Sequence, residues 1–500
     1  MSESRTKKSI NNMVMGLINQ ITTLLLSFIS RTIFIRILGV DLLGVNGLFT
    51  DVLSLLSMAD LGFNTAMVYS FYKPIAENDT KKISALTNFY KKVYNIIAIS
   101  ITIIGIAILP FLNLIVNTDK DIPLLKVYYL FSLAGVIISY LFVYKTSIIT
   151  ADQKNYIVMK ISTVINFIKT IVQIISLIVF KNYIIYLSIN LIGNFLNNYI
   201  ASKKAVKLYP YIKEHNILPK KDRRDIFENV KSMFIYKISS LLLTATDNTI
   251  ISMLIGTVFV GYYSNYALVS SKAIIILQII FGALTASIGN VIVREKSEKR
   301  YEIFQATQSV SFIICGIVVT SFSLLINDFI KVWLGSEFTF SYTVVLTITL
   351  NMYLSCVLQP LWTYREATGL YIKTKYVMFI AAVVNIILSI VLGKLLGIAG
   401  IFMASAIARL STYFWYEPFV LFKEYFDQTP RKYYKSMSLN FLLMISVILL
   451  FNIIFSKVLV NTWMGLIIKS IIIGIITTIL FLTIYCKTEG VRIIINKLKR

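Results

Sequence analysis

Charged side chains inside apolar helices cost roughly 2.5–3.5 kcal/mol each on insertion scales, so they mark function by default. Arg31 and Arg36 lie in one long apolar stretch of this chain and Asp51 and Asp60 in the next. Lys169, Lys237, Asp247, Lys272, Arg409 and Lys469 follow in later ones. The set is mainly basic. Buried guanidinium and ammonium groups suit a phosphate or pyrophosphate, arginine through paired donors and lysine as a point charge. Lys145 and Lys237 lie towards the cytosolic ends of their stretches and Arg36 towards an outer end, within snorkelling reach of an interface. Arg31, Lys169, Lys272 and Arg409 are too deep for that. Their structural alternative is ion pairing with Asp51 or Asp60. Asp247 stands apart, with Thr244, Thr246, Asn248 and Thr249 close by in sequence. A carboxylate among hydroxyl and amide oxygens could hold Na⁺ or exchange a proton; the alternative is a salt bridge to Lys237 or Lys272.

Three apolar stretches carry polar residues along one helical face. Gly16, Gln20, Thr23, Ser27 and Arg31 form the first stripe. Ser162, Asn166, Lys169, Gln173 and Ser176 form the second, and Tyr236, Ser240, Thr244 and Asp247 the third. Steps of three and four place each set on one side of a helix. At membrane depth such stripes face protein or water rather than lipid. Interhelical hydrogen bonding and a shared hydrated cavity are both open; two stripes in corresponding helices of two halves favour the cavity.

The helices that carry these stripes belong to a chain that is 57% hydrophobic over 500 residues. The apolar residues come in blocks long enough to cross a bilayer, and nothing alternates as barrel strands do. The class is all-α polytopic membrane protein. Spans fall near 13–38, 43–72, 93–117, 124–149, 157–180, 183–202, 233–256, 260–292, 305–327, 341–364, 373–396, 398–422, 437–457 and 463–486, fourteen helices in all. The net charge of +25 follows these spans: 35 of the 49 Lys and Arg fall in one alternate set of loops and termini and 6 in the other. That is the positive-inside bias rather than a nucleic-acid footprint, and it places both termini in the cytosol. Trp333 and Trp463 then lie near the outer interface, and Trp362 and Trp415 nearer the inner one. Cys315, Cys356 and Cys486 are scattered, and His215 lies in a basic loop, so neither a metal site nor a disulfide frame is expected. No A-x-A cleavage site follows the first apolar stretch, which is expected to stay as a span.

An internal repeat organises the chain. Residues 27–82 lie over 244–299 without a gap, a displacement of 217 that puts Gly39 on Gly256 and Gly44 on Gly261. Two apolar helices meet at a glycine-marked corner in each copy, LGVDLLG (38–44) in the first. The expected organisation is an N-terminal lobe over 1–202, a basic cytosolic connector over 203–232, a C-terminal lobe over 233–436, and a helix pair with a basic tail over 437–500. The connector, with nine basic residues, is expected to lie on the anionic inner leaflet. Binding sites of repeat-built transporters lie between the halves.

Three lines of sequence carry a family resemblance: ILGVDLLGVNGLF…ADLGF (37–63), TDNTIISMLIGTVFVGYYSNYALV (246–269) and ATGLYIKTKYVMFIAAVVNIILSIVLGKLLGIAGIFMASAIARL (367–410). They resemble the polysaccharide-export branch of the multidrug/oligosaccharidyl-lipid/polysaccharide flippase superfamily, specifically O-antigen or capsule repeat-unit flippases. The resemblance implies a fourteen-helix fold of two pseudo-symmetric lobes. It also implies alternating access that carries an undecaprenyl-pyrophosphate-linked oligosaccharide from the inner to the outer leaflet of the plasma membrane. Related lipid II flippases, the runner-up reading, have two cationic residues in their first helix, which Arg31 and Arg36 resemble. They also place Na⁺ near an acid of the seventh helix and an asparagine of the eleventh; Asp247 and Asn385 occupy similar places. Substrate contact is thus expected at Arg31, Arg36, Lys169, Lys272 and Arg409, and the coupling ion, Na⁺ or H⁺, at Asp247 and Asn385.

A multidrug exporter would need an acidic or apolar cavity for cationic drugs, which the basic set argues against. A membrane glycosyltransferase or polymerase would need catalytic groups on sizeable outer loops; these loops are short and lack histidine. No G-x4-G-K-[ST] motif is present, so direct ATP drive is not expected. The reading is a non-enzyme without a bound organic cofactor, working alongside polysaccharide polymerase and glycosyltransferases.

Overall fold

The computed structural model describes residues 5–57, 63–118, 122–455, 458 and 460–498. Within these, every regular element is helical, as the sequence class requires. Among the described residues eight helices are long and apolar enough to cross a membrane, or up to ten if each bent pair is one span. Asp60 falls outside the described residues, as do the side chains of Tyr236, Lys237 and Thr244.

The chain divides into two compact units, 1–261 and 262–500. The first contains α1 (Arg5–Leu38), α2 (Val40–Leu56), α3 (Phe63–Ala76), α4 (Thr80–Ile108), α5 (Leu112–Ile115), α6 (Leu125–Tyr140), α7 (Val143–Ala151), α8 (Asn155–Phe180), α9 (Tyr183–Leu208), α10 (Lys220–Ala245) and α11 (Asp247–Leu254). It ends within the first turns of α12 (Thr257–Arg294). The unit boundary thus lies beyond the 203–232 connector at which the sequence reading divides the chain, because α10 and α11 pack on α2.

The glycine corners show why. Gly39 and Gly256, equivalent in the repeat, both have positive φ, 84° and 141°, which glycine adopts without steric cost. Five residues beyond each, Gly44 and Gly261 make a reciprocal contact. A Cβ on Gly44 would collide with the Thr257 carbonyl, and one on Gly261 with the Val40 carbonyl at 2.5 Å. Val40 and Thr257 are themselves equivalent in the repeat. The two corners therefore pack backbone to backbone in a two-fold-like exchange that only hydrogen side chains permit.

Along α1 and α8, polar side chains join the helices. Asn12 Nδ2 donates to the Gln153 carbonyl at 2.8 Å and Asn12 Oδ1 accepts from Tyr156 N at 2.6 Å. Further along, the Thr163 hydroxyl donates to Asn19 Oδ1 at 2.9 Å. The opposite faces are apolar and exposed, with Leu25 and Ile29 on α1 and Ile175 and Ile178 on α8, as lipid-facing surfaces are. The connector folds back onto α4: Ser84 and Asn88 both donate to the Glu214 carbonyl, and Lys82 pairs with Asp222 at 3.1 Å. Beside it the Tyr209 hydroxyl donates to Asp152 Oδ2 at 2.7 Å, and burial together with that carboxylate pushes the phenol pKa up.

The second unit takes the remainder of α12, then α13 (Ser297–Trp333), α14 (Tyr342–Val357), α15 (Gln359–Thr368), α16 (Tyr371–Ser411), α17 (Tyr413–Leu421), α18 (Arg431–Phe455), α19 (Trp463–Tyr485) and α20 (Glu489–Leu498). Its centre is α13, which packs against α14, α18, α19 and α20. Gly316 makes room for the Phe481 ring. A closed set of hydrogen bonds ties α12 to the loop after α13: Tyr266 to Asn327 at 2.6 Å, Asn327 to the Phe340 carbonyl at 2.9 Å, and Phe340 N back to Tyr266 at 2.8 Å. The expected break between the spans 373–396 and 398–422 occurs at Gly397, whose φ of 63° and ψ of −142° interrupt α16. The helix pair appended in sequence, α18 and α19, packs within this unit: Asn440 accepts from the Tyr353 hydroxyl at 2.9 Å and donates to the Tyr485 hydroxyl at 2.5 Å.

Candidate functional site

Lys169 points from α8 to α9. Its ammonium donates to Asn190 Oδ1 at 3.0 Å and Asn194 Oδ1 at 3.3 Å. Gly193 lies between these asparagines because a Cβ there would overlap the lysine stem. Among the described residues Lys169 makes no ion pair, so its charge is held by neutral carboxamides and stays uncompensated. One turn on, Gln173 donates to the Tyr186 carbonyl at 3.3 Å. This part of the second polar stripe therefore serves α8–α9 packing, the plainer of the two readings open from sequence.

Arg31 belongs to the same neighbourhood. Ser30 hydrogen-bonds the Tyr186 hydroxyl, and the Arg31 charge acts on that phenol. Phe34, one turn later, packs edge-on against Tyr183 and Tyr186 at 5.6 and 5.2 Å between ring centroids. Tyr186 thus connects the Arg31 face of α1 to the part of α9 that holds Lys169. Arg36 is exposed, in the last turn of α1, where a cation complements the helix dipole.

Among the described residues Asp51 makes no ion pair; its Oδ2 accepts from Asn248 Nδ2 at 2.6 Å. Asn248 is the repeat equivalent of Arg31. The seventh span is broken at Thr246, and Asp247 is the first residue of α11, so its carboxylate lies at a positive helix end. The Asn248 Oδ1 and Thr249 Oγ1 atoms beside it are buried without a hydrogen-bond partner. Oxygen atoms left in that state fit the cation chemistry read from sequence.

In the second unit, Lys272 is half-buried on α12 and makes no hydrogen bond or ion pair among the described residues. Arg409 Nη1 donates to the Ser355 hydroxyl at 2.8 Å, while its Nε is buried without a partner. Asn385 is fully buried, and its Oδ1 accepts from Ser405 at 3.0 Å and Ser389 at 3.4 Å. Its oxygen already serves the packing of the two halves of α16 against each other.

Lys469 corrects the sequence reading. It is not part of a basic cavity, because its ammonium pairs with Asp328 at 2.7 Å and it is 7% exposed. Asp328 lies just past the span 305–327, and its partner is 141 residues away in sequence. A second buried pair, Arg365–Glu417 at 2.7 Å, joins α15 to α17. The signal for it was Glu417 itself, an acid inside the span 398–422.

Each unit also contains a pocket. The first unit's is polar, about 320 Å³, walled by α2, α6 and α9 and including Asn190 and Asn194. The second unit's is apolar, about 390 Å³, lined by residues such as Val269, Ile317, Phe322, Phe329 and Leu466. The sequence reading missed both. The polar one has a readable trace in Asn46, Thr50, Ser54 and Ser57, which step along one face of α2.

Residues 9–288 match the family of polysaccharide biosynthesis proteins. The chain belongs to this family. No curated protein sequence matches it. Among solved structures it is similar to the lipid II flippase MurJ in an inward closed conformation, with TM-score 0.67, 17% identity, and coverage of 96% of this chain and 99% of that one. An inward-facing multidrug resistance MATE family transporter gives TM-score 0.63 and 16% identity over 79% of this chain and 93% of that one. A superfamily transporter from Pyrococcus furiosus, described by a reversed polarity of its binding pocket, gives 0.56 and 14% over 82% and 94%. Family and fold agree with the resemblance read from sequence: this is a multi-pass membrane protein of the polysaccharide biosynthesis family, with a fold like that of these flippases and transporters.

Proposed function

We propose that this family member flips undecaprenyl-pyrophosphate-linked oligosaccharide repeat units across the plasma membrane by alternating access, for capsule, O-antigen or exopolysaccharide synthesis. The observation that carries the reading is Lys169: a cation inside an apolar helix, oriented by two neutral carboxamides rather than neutralised by an acid. Such a group attracts an anion, and a pyrophosphate is the anion that a lipid-linked sugar presents. Arg31, Arg36, Lys272 and Arg409 complete the proposed basic set. The family's polysaccharide role and the lipid-linked substrate in the MurJ description point the same way. A lipid II-type substrate is the second reading, favoured by the near-complete fold match to MurJ.

Transport then draws on an ion or substrate gradient, with Asp247 and Asn385 proposed for Na⁺ or H⁺. Both termini are cytosolic, and the protein acts as a carrier rather than an enzyme, between glycosyltransferases and polymerase. The test is binding by the purified protein in nanodiscs. Undecaprenyl pyrophosphate should bind and ethidium, a cationic drug, should not; the reverse preference would refute the proposal.

A further inference from the structure

The hydrogen bonds already made around the polar pocket determine what it offers a ligand. Asn190 and Asn194 direct Oδ1 to Lys169. Lysine only donates, so each carboxamide is fixed with its oxygen towards α8 and its amide nitrogen turned away. Asn194 Nδ2 lies 3.7 Å from the position a Cβ would take on Gly135, and Gly135 is part of the pocket wall. Asn46, across the pocket on α2, is oriented in the same manner, its Oδ1 accepting from the Tyr183 hydroxyl at 3.2 Å. Amide N–H donors are thus left for a ligand.

The hydroxyls have the opposite balance. Thr50 and Ser54 donate to carbonyls of α2 at 2.8 and 2.7 Å, and Ser132 and Ser139 to carbonyls of α6 at 3.1 and 2.7 Å. Their protons are committed and their lone pairs remain. The wall therefore combines donors and acceptors without a charged side chain, beside the Phe131 ring and Leu187. Water-sized polar solutes would leave most of a 320 Å³ space unfilled, and an anion would find no direct counter-charge on the wall.

We propose that this pocket binds one sugar ring, the one attached to the pyrophosphate. A pyranose has hydroxyls that donate and accept at once around an apolar C–H face, which matches amide donors, hydroxyl acceptors and an aromatic ring. The Lys169 ammonium polarises the asparagines that face the sugar and keeps the sugar subsite adjacent to the cation assigned to the phosphate. The inference rests on the flippase reading and adds to it a recognition element in the first unit.

The test uses the full chain in nanodiscs and two kinds of probe: undecaprenyl pyrophosphate alone, and the same lipid carrying a single N-acetylglucosamine, N-acetylgalactosamine or galactose. At least one sugar-bearing lipid should bind about tenfold tighter than the bare lipid, the gain of one or two well-made hydrogen bonds. Gly135→Leu, which fills the space, should abolish that gain and leave bare-lipid affinity unchanged; Thr50→Val, nearly isosteric, should reduce it. Gly135→Ala, whose Cβ meets only ordinary contacts, should behave as wild type. Equal affinity of wild type for bare and sugar-bearing lipids overturns the proposal, as does a gain that survives both Gly135→Leu and Thr50→Val. If neither lipid binds, the flippase reading fails. Saturation transfer from methyl glycosides then decides the pocket separately: transfer lost in Thr50→Val supports a sugar site, and absence of transfer in wild type removes it.

Discussion

Replacing Lys169 by Gln removes its charge while keeping a donor of similar reach. Two carboxamide oxygens receive the ammonium, and the Gln amide can still serve one of them. Interhelical hydrogen bonds in membranes average about 0.6 kcal/mol and reach about 1.7, so the variant should fold with a modest fall in thermal stability. The loss on the ligand side is larger. A hydrogen bond to a charged group contributes about 1.5–3 kcal/mol, which corresponds to about ten- to hundredfold in affinity for a pyrophosphate. Isothermal titration of nanodisc samples with undecaprenyl pyrophosphate at several salt concentrations measures this directly. Wild-type affinity should fall with salt more steeply than that of Lys169→Gln, and Lys169→Arg should retain most of the affinity. A folded Lys169→Gln protein with wild-type affinity and salt dependence would show that the lysine only joins α8 to α9, and the anion-site reasoning would fail.

The glycine corner gives a stability prediction: Gly44→Ala, whose Cβ would enter the Thr257 carbonyl, should cost about 1–3 kcal/mol, whereas Gly47→Ala, 3.5 Å from the Val260 side chain, should not; melting temperatures of the two separate the outcomes. Asp247→Asn should slow transport more than it weakens substrate binding, since an ion at that carboxylate acts only through differential affinity for two states; recovery of transport in Asp247→Asn/Lys272→Gln would instead indicate a structural pair. Lys469→Met should destabilise by about 3–5 kcal/mol by leaving Asp328 unpaired, and Lys469→Met/Asp328→Leu should recover most of it; a double variant no more stable than the single one contradicts that. In a background free of the native cysteines, His215→Cys should resist labelling from outside intact cells and Ser336→Cys should accept it, and the reverse pattern would invert the topology.

Local backbone features were the most legible part of the sequence. Gly39 and Gly256 marked corners because only glycine takes those angles cheaply, and Gly397 marked the break in α16 for the same reason. Apolar blocks of bilayer length marked the membrane helices, though they could not show that α10 and α11 pack with the first unit. Partner choice was far less legible. The charge of Lys469 was visible, but Asp328 lies 141 residues away and only folding joins them. Ion pairing with Asp51 was only the alternative reading for the deep cations, and Asp51 instead meets Asn248, again a contact between distant helices. The polar pocket escaped notice because serines and asparagines on α2, α6 and α9 are individually ordinary, and their common orientation is set by Lys169 and Tyr183 from outside the pocket.

The most direct measurement is translocation itself. Proteoliposomes containing the purified chain and a fluorescent undecaprenyl-pyrophosphate-linked oligosaccharide, with a membrane-impermeant quencher outside, report movement between leaflets. Protein-dependent exchange, slowed by Lys169→Gln and absent for bare fluorescent phosphatidylcholine, is the predicted result. No exchange above protein-free vesicles, from protein that still binds the lipid, would contradict the account.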